Sequence, residues 1–339
     1  MRDVAQLANV SIQTVSLVVN GSAAITEETR LRVQSAIAQL GYQPHAGAQS
    51  LRSGRTGNIG LLVPDIHNPH FWGYVQGVEE VALQNDYSLF LTATNLDPIV
   101  ERRALRSLMQ QRVDGLILLL TFPELVADEM AALKSKGQPM VSLSLELTDD
   151  TVTVQYDVLA RAMMQHLLGL GHRRIGLLLS VGAPEHAAER VQAYREGLAG
   201  VGVTVDERLI VQCRPTVTET SAAAEQLLAL TPRPTAILGI CDLGAFSAMQ
   251  AAMRAGLRIP EDISIAGFDD IDLARYLHPG LTTAPGRALD VGRLMTSLLL
   301  ERIAQPHLPP RHITLPSDLV IRGSTGPCPC SPQAEESSP

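Results

Sequence analysis

Short apolar segments alternate with amphipathic segments between about residue 58 and residue 266, and this alternation constrains the fold most. Apolar strands separated by amphipathic helices are typical of parallel sheets covered on both faces. At roughly 100–200 residues per domain, this stretch is long enough for two such lobes, and a ligand cleft is expected between them. The predicted strands are 59–63, 88–94, 115–120, 139–145, 151–154, 174–179, 236–239 and 263–266, and the predicted helices are 75–83, 101–110, 160–168, 191–198, 220–228 and 245–255.

The first 43 residues have a different pattern, that of three short helices. Ser11 and Thr26 can accept hydrogen bonds from backbone N–H groups where the second and third helices begin, and Gly41 ends the third. This is the plan of a helix-turn-helix module, although any three-helix bundle would also satisfy it. The residues that we predict to form its core are Val4, Leu7, Val15, Val19, Ile37 and Leu40.

The net charge of −8 would by itself argue against a nucleic-acid partner. The charge is unevenly distributed. Residues 1–58 contain five basic and three acidic residues, a net charge of +2, while the remainder contains 22 basic and 32 acidic residues, a net charge of −10. The mildly basic head is therefore the candidate DNA reader, and the acidic body has another task.

The amino-acid sequence of the head is more specific than its helical pattern. DVAQLA at 3–8 is followed by VSIQTVS at 10–16 and VVNG at 18–21, and then by TEETR at 26–30 and LGYQP at 40–44. With these motifs the chain resembles the lactose-repressor (LacI/GalR) family of transcription regulators. The resemblance continues through DIHNPHF, RVDGLI, HLLGLGHRRI, PEDIS and GFDD and covers about residues 1–325. It implies a small all-α helix-turn-helix head and an α/β periplasmic-binding-protein-like sensor with two parallel-sheet lobes.

The resemblance places the second helix of the head in the DNA major groove, with Ile12, Gln13 and Leu17 toward the base edges. A glutamine can bond bidentately to adenine, and an aliphatic side chain can contact a thymine methyl group. Leu17 stands where relatives often have arginine, so base preference there should change by roughly 1–3 kcal/mol. The resemblance implies phosphate contacts for Ser11, Ser16, Asn20, Thr26, Thr29 and Tyr42.

Residues 44–57 resemble the hinge helix and linker of the family. In that family the paired hinges of a dimer insert apolar side chains into the minor groove, at positions that match Ala48 and Leu51 here. Such a wedge unstacks a base step and kinks the duplex. A plain flexible linker is the alternative.

Effector contacts are implied on the body as well. An aromatic face can stack on a sugar or base ring, and Arg or Asp can bind hydroxyl groups or ring nitrogens. The alternatives are helix capping by the two aspartates and a surface ion pair for the arginine. Cys241 and Gln155-Tyr156 depart from the residues usual in the family, so the effector need not be a relative's ligand; a sugar is only weakly preferred over other metabolites. The implied contacts are His70, Phe71, Arg190, Cys241, Asp242 and Asp269.

We predict a DNA-binding domain at 1–43, a hinge and linker at 44–57, a two-lobed effector-binding and dimerisation domain at 58–325, and a disordered tail at 326–339. The first lobe would comprise about 58–156 and 284–316, and the second about 157–283 and 317–325, with crossings near Tyr156, Thr283 and Pro316. The Pro- and Ser-rich sequence from Gly323 has no heptad pattern, so we expect disorder there and a dimer formed by the helices at 71–83 and 100–112.

These observations predict a cytoplasmic, homodimeric repressor that binds a palindromic DNA operator and responds to a small-molecule effector, which either releases DNA or promotes binding. No apolar run approaches the ~18 residues of a membrane span. No Cys/His spacing fits zinc, and no phosphate-binding or nucleophile-elbow motif is present, so we expect no metal, cofactor or enzymatic activity. The alternative is a solute-binding or sugar-receptor protein without a DNA role, which explains the body but not the head.

Overall fold

A computed structural model describes residues 1–19, 22, 24–42, 55–143, 147–180, 184–214 and 216–329 of the 339-residue chain. The chain divides into two compact units, Met1–Asn58 and Ile59–Pro339. The predicted hinge positions Ala48 and Leu51, and Asn20 in the head, lie outside the described residues. No helix within the described residues combines the length and apolarity that a membrane crossing requires.

The head unit contains the three predicted helices, α1 (Arg2–Leu7), α2 (Ile12–Val19) and α3 (Glu27–Leu40). Both predicted caps are formed, because Ser11 Oγ accepts the N–H of Thr14 at 3.0 Å and Thr26 Oγ1 accepts the N–H of Thr29 at 3.4 Å. Gly41 ends α3 in the left-handed conformation at φ 57°. These local signals confirm the three-helix prediction.

The core of the head does not contain all the residues that the helical pattern predicted. Leu7 and Leu40 are exposed by 49% and 46%, so their prediction as core residues is wrong, and Val19 and Ile37 are half-buried. Leu7 and Leu40 are the last residues of α1 and α3, at the edge of each apolar stripe, where neighbouring helices no longer cover them. The buried side chains are Val4, Ala5, Ala8, Val15, Val18, Val33 and Ala36.

The body contains two sheets, and the first has six strands in the order β11-β5-β4-β3-β1-β2. The pairs β1/β3, β3/β4, β4/β5 and β5/β11 are all parallel. Its strands are β1 (Asn58–Val63), β2 (Ser88–Ala93), β3 (Gly115–Leu118), β4 (Met140–Ser142), β5 (Asp150–Val154) and β11 (Arg311–Leu315). Its helices are α4 (His70–Gln84), α5 (Pro98–Gln110), α6 (Ala127–Ser135) and α12 (Ala288–Ala304).

The second sheet has five strands in the order β10-β9-β8-β6-β7, and its pairs are also parallel. Together the two sheets confirm the predicted fold class of two parallel-sheet lobes. The strands are β6 (Ile175–Ser180), β7 (Ile210–Cys213), β8 (Ala236–Gly239), β9 (Ser264–Asp269) and β10 (Thr282–Pro285). The helices are α7 (Tyr156–Gly169), α8 (Pro184–Gly200), α9 (Val217–Leu228), α10 (Asp242–Arg254) and α11 (Leu273–Tyr276).

Over the described part of the body, the chain changes sheet three times. It leaves the first sheet after β5, at the start of α7, and returns after β10, which ends at Pro285. It crosses again after β11, because Val320 forms an isolated antiparallel bridge with Thr283 of β10. Helix α4 lies so close to α12 that a side chain at Gly77 would collide with the backbone carbonyl of Leu289. The helices therefore pack with backbone against backbone in the first lobe.

Residues 323–329, which we expected to belong to a disordered tail, are packed against the second lobe. Ser324 is fully buried and donates from Oγ to the carbonyl of Ile265 at 2.6 Å. The backbone N–H of Cys328 donates to the carbonyl of Leu170 at 2.8 Å, and Cys328 is 7% exposed. The expectation of disorder is wrong for this segment, because its backbone groups complete hydrogen bonds of the lobe that composition alone does not reveal.

The buried His172 joins this segment to the second sheet. Its Nε2 lies 3.1 Å from the carbonyl of Gly326 and 2.9 Å from Ser264 Oγ, and its Nδ1 lies 3.0 Å from Thr235 Oγ1. The ring is thus held by one carbonyl and two hydroxyl groups, none of which is charged. Burial lowers the pKa of His172 below its ordinary value, against the smaller raising effect of the bond to Gly326.

We expect this histidine to make the protein less stable in acid. The unfolded chain binds a proton at the ordinary histidine pKa and the folded one only at lower pH, so stability falls as the pH drops below about 6.5. An H172Q variant, which cannot titrate, should be less stable at pH 7.5 but lose less stability on acidification. Urea unfolding between pH 7.5 and 5.5 measures this, with H307Q at an exposed position as the control. If the unfolding free energies of H172Q and the wild type fell in parallel with pH, His172 would not be the cause of the acid sensitivity.

Candidate DNA-reading surface and effector site

One face of α2 is buried in the head and the opposite face is open. Val15 and Val18 point into the core, whereas Ile12 is 46% exposed and Gln13 is exposed as well. Leu17, one turn after Gln13, is half-buried. The residues implied as base contacts thus share the accessible part of one short helix, with Ile12 and Gln13 free to extend outward.

The residues implied as phosphate contacts flank this helix. Ser11 and Thr26 are exposed, and their hydroxyl groups lie 2.9 and 3.0 Å from those of Thr14 and Thr29. Each is also a helix cap, so these hydroxyls fix the helix starts whose N–H groups favour an anion. Ser16, Thr29 and Tyr42 are half-buried, and Tyr42 also packs against the head core.

The six implied effector residues lie on segments that the fold brings together where the two lobes meet. His70 begins α4, with its N–H bonded to Asn68 Oδ1 at 3.0 Å. Its ring meets the rings of Phe71 and Tyr74 edge-on, at centroid distances of 5.3 and 5.2 Å. The first lobe therefore contributes an aromatic group with one imidazole at its edge.

Arg190 enters the site from α8 of the second lobe and is only 8% exposed. Its guanidinium lies over the ring of Phe268, 4.5 Å from the centroid, and 5.3 Å from that of Tyr156. One terminal nitrogen donates to the carbonyl of Ile240, while the buried Nε has no hydrogen-bond partner among the described residues. The burial excludes the alternative of a surface ion pair and leaves a buried donor unsatisfied.

Asp242, the first residue of α10, is fully buried and already bonded by the protein. One carboxylate oxygen accepts the hydroxyl of Thr283 at 2.6 Å, and the other accepts the N–H of Ile271 at 2.9 Å. Burial raises its pKa well above the ordinary value, and the neighbouring Asp269 adds to this. Asp242 thus connects β10 to the loop after β9, and it does not cap α10.

Asp269 ends β9 in a backbone conformation with φ 117° that favours glycine. Its carboxylate accepts the N–H of Asp242 and lies 3.6 Å from His70 Nδ1. Burial raises the pKa of Asp269, against the opposing effects of His70 and Arg190, and burial lowers the pKa of His70 despite Asp269. These side chains form one electrostatic group that joins the two lobes.

The sequence did not identify Tyr74 and Phe268, and it indicated Tyr156 only as a departure from the family and as a crossing. The hydroxyls of Tyr74 and Tyr156 are hydrogen-bonded to each other across the lobes, and burial raises the pKa of both. Phe268 supplies the face on which Arg190 lies. The departure from the usual family residues at Gln155-Tyr156 indicated that this position is changed, but it did not indicate that Tyr156 pairs with Tyr74.

Comparison with known proteins identifies the family. Residues 1–45 match "Bacterial regulatory proteins, lacI family", and residues 164–325 match "Periplasmic binding protein-like domain". The "Ribose operon repressor" of Haemophilus influenzae is 35% identical over 324 residues, which cover 96% of this chain and 98% of that protein. The chain belongs to the lacI family of bacterial transcription regulators.

Solved structures of lacI-family proteins have the same fold over almost the whole chain. The Lac repressor dimer bound to operator and an anti-inducer matches with a TM-score of 0.81 and 26% identity, covering 96% of this chain and 98% of that one. A complex of the regulator CelR with cellobiose matches with a TM-score of 0.69 and 30% identity, covering 95% and 98%. These matches confirm both the family and the fold class that were predicted from the sequence.

Proposed function

We propose that this lacI-family regulator is a repressor that binds a palindromic operator as a dimer and changes its affinity when a small molecule, preferably a sugar, enters the cleft. The observation that carries the proposal is the buried Arg190, whose unsatisfied Nε lies in a group of residues from both lobes. An unpaired buried donor costs about 1–3 kcal/mol, which a ligand acceptor would recover.

The roles within the effector site differ. Arg190 and Asp269 offer the donor and the acceptor, and the rings of His70 and Phe71 offer a face for a sugar ring. Asp242 has both oxygens engaged, so we assign it the role of holding β10 and the loop after β9 in place. Arg190 and the ionised form of Asp269 offset each other, which favours a neutral ligand over a charged one.

Exposed apolar side chains on α4 and α5 support the dimer. Trp72 is 58% exposed, Leu83 is 74% exposed, and Ile99 is 79% exposed. Large apolar side chains left exposed on the helices of one lobe are available to an interaction surface. The helices predicted to form the dimer interface therefore carry the side chains that a second copy would cover.

We also infer that the cleft has no catalytic role. Cys241, the thiol among the implied effector contacts, is kept protonated because burial, with Asp269 beside it, raises its pKa to about 12. A thiol is a poor nucleophile compared with a thiolate. The chemistry of the cleft therefore supports binding of a ligand without its conversion.

Selection of binding sites from random duplex DNA tests the proposal. The full chain should enrich one sequence with two-fold symmetry, since two heads related by a dimer axis read two half-sites about 34–36 Å apart or a multiple of that. Ribose and cellobiose, which occur in the names of its relatives, are the first effectors to add. Enrichment of no sequence would favour the alternative, a sugar receptor without a DNA role.

Gln13 is expected to specify one base pair in each half-site. A Q13A variant should lose about 1–3 kcal/mol of discrimination at that position and keep its preferences elsewhere, because a bidentate amide contact reads one base. Repeating the selection measures this, and Q34A, an exposed glutamine on α3, is the control. An unchanged profile for Q13A would remove Gln13 from the reading surface.

A further inference from the structure

A group of protein side chains bridges the lobes beside the crossings. His70 and Tyr74 come from α4 of the first lobe. Asp269, at the end of β9, lies 3.6 Å from His70, and Tyr156, at the first crossing, is bonded to Tyr74. These contacts join protein groups of the two lobes to each other, and a ligand at Asp269 would have to act on them.

Gly286, at the second crossing, provides the space that His70 occupies. Its N–H donates to the carbonyl of Asp269 at 3.1 Å. A Cβ at this position would lie 2.6 Å from His70 Cε1 and 3.4 Å from the Tyr156 hydroxyl. A carbon cannot approach a ring atom to 2.6 Å, so any residue other than glycine would displace the imidazole.

The backbone beside Gly286 is fixed from the other side. Arg287 has the left-handed φ of 48°, and its guanidinium donates to the carbonyl of Pro316 at 2.8 Å and pairs with Asp290 at 2.8 Å. The second crossing is thereby connected to the start of the third. When Gly286 and His70 compete for space, the ring of His70 is the part that can move.

We propose that the contact between His70 and Asp269 is a latch between the two lobes, that Gly286 positions it, and that the effector changes operator affinity through it. Only the part about the effector and operator affinity rests on the proposed function. The latch differs from a simple ligand contact because it joins protein to protein and because a residue outside the ligand contacts, Gly286, controls it.

Four chains test the latch: G286A, H70A, the double variant, and the control G169A, whose added Cβ would meet no atom within 4 Å. The readout is the ratio of operator affinities with and without saturating sugar. G286A and H70A should each reduce the effect of the sugar on operator affinity by about 5-fold or more, so that the ratio approaches one. A factor of about 5 is the lower end of typical allosteric couplings. The double variant should equal H70A, because without the imidazole an alanine at 286 displaces nothing. Additive effects would overturn the proposal.

A second measurement needs neither DNA nor sugar. Asp269 opposes the lowering of the His70 pKa by burial, so a D269N variant should lower that pKa further. NMR titration of the full chain with labelled histidine, in which His70 is the signal missing from H70A, measures this. An unchanged titration of His70 would overturn the latch.

If no duplex is bound specifically, the proposed function fails, and urea unfolding of the four chains then tests the latch. Non-additive losses of stability in G286A, H70A and the double variant would support the latch, and additive losses would overturn it.

Discussion

An R190M variant is expected to bind the sugar effector about 10- to 150-fold more weakly than the wild type, since a hydrogen bond to a charged group contributes about 1.5–3 kcal/mol. Methionine is unbranched and can still cover Phe268 and Tyr156, but it offers no donor to the ligand. The guanidinium lies 4.5 Å from the centre of the Phe268 ring and is almost fully buried, so water does not readily replace a hydrogen bond that it loses.

Calorimetry with the sugar that shifts operator affinity measures this loss. The matched control is R195M on the same helix, since Arg195 is exposed and pairs with Glu207 at the surface. R195M should bind the sugar as the wild type does, and operator affinity without sugar should stay the same in both variants. Equal sugar affinity in R190M and the wild type would show that Arg190 is structural.

A D150N variant is expected to unfold with a free energy about 3–5 kcal/mol lower than the wild type. Asp150 is fully buried and accepts hydrogen bonds from Arg302 at 2.8 and 2.9 Å and from Arg311 at 2.9 and 3.0 Å. Burial opposes its ionisation, but the two arginines outweigh burial and hold its pKa below the ordinary value. Asparagine would keep the shape and leave the buried Arg302 without a counter-charge.

The neighbouring residue supplies the control for D150N. Asp149 pairs with Lys134 at 2.8 Å, but both side chains are about half exposed, so D149N should cost less than about 1 kcal/mol. Urea unfolding at pH 7.5 compares the two variants. Equal losses would contradict the account in which Asp150 holds α12, β5 and β11 together.

The alternation of strands and helices predicted the two sheets because their central strands are continuous apolar runs, such as Ile59–Val63 and Ala236–Gly239. Helix α12 was not predicted, although Val291, Met295 and Leu299 recur at helical spacing, because the alternation was followed only to residue 266. The strand β11 has no apolar run, and its identity comes from parallel pairing with β5, more than 150 residues earlier. Pairing at that separation is not encoded in any local pattern.

The residue types of the effector site were accessible to sequence reasoning, but their connections were not. The sequence indicated Arg190, Asp242 and Asp269, whereas the engagement of both Asp242 oxygens depends on Thr283 and Ile271, which lie 41 and 29 residues away. The packing of Ser324 has the same origin, because its partners are on strands far earlier in the chain.

The central claim is that one chain reads a DNA sequence and reports a ligand, and operator affinity with and without sugar tests it most directly. Fluorescence anisotropy would compare the selected operator with a scrambled duplex at one fixed salt concentration, because phosphate contacts make affinity salt-dependent. The account predicts preference for the operator and a change of about 5- to 150-fold in its affinity when the sugar is added. Equal affinity for the two duplexes, unchanged by any sugar, would contradict it.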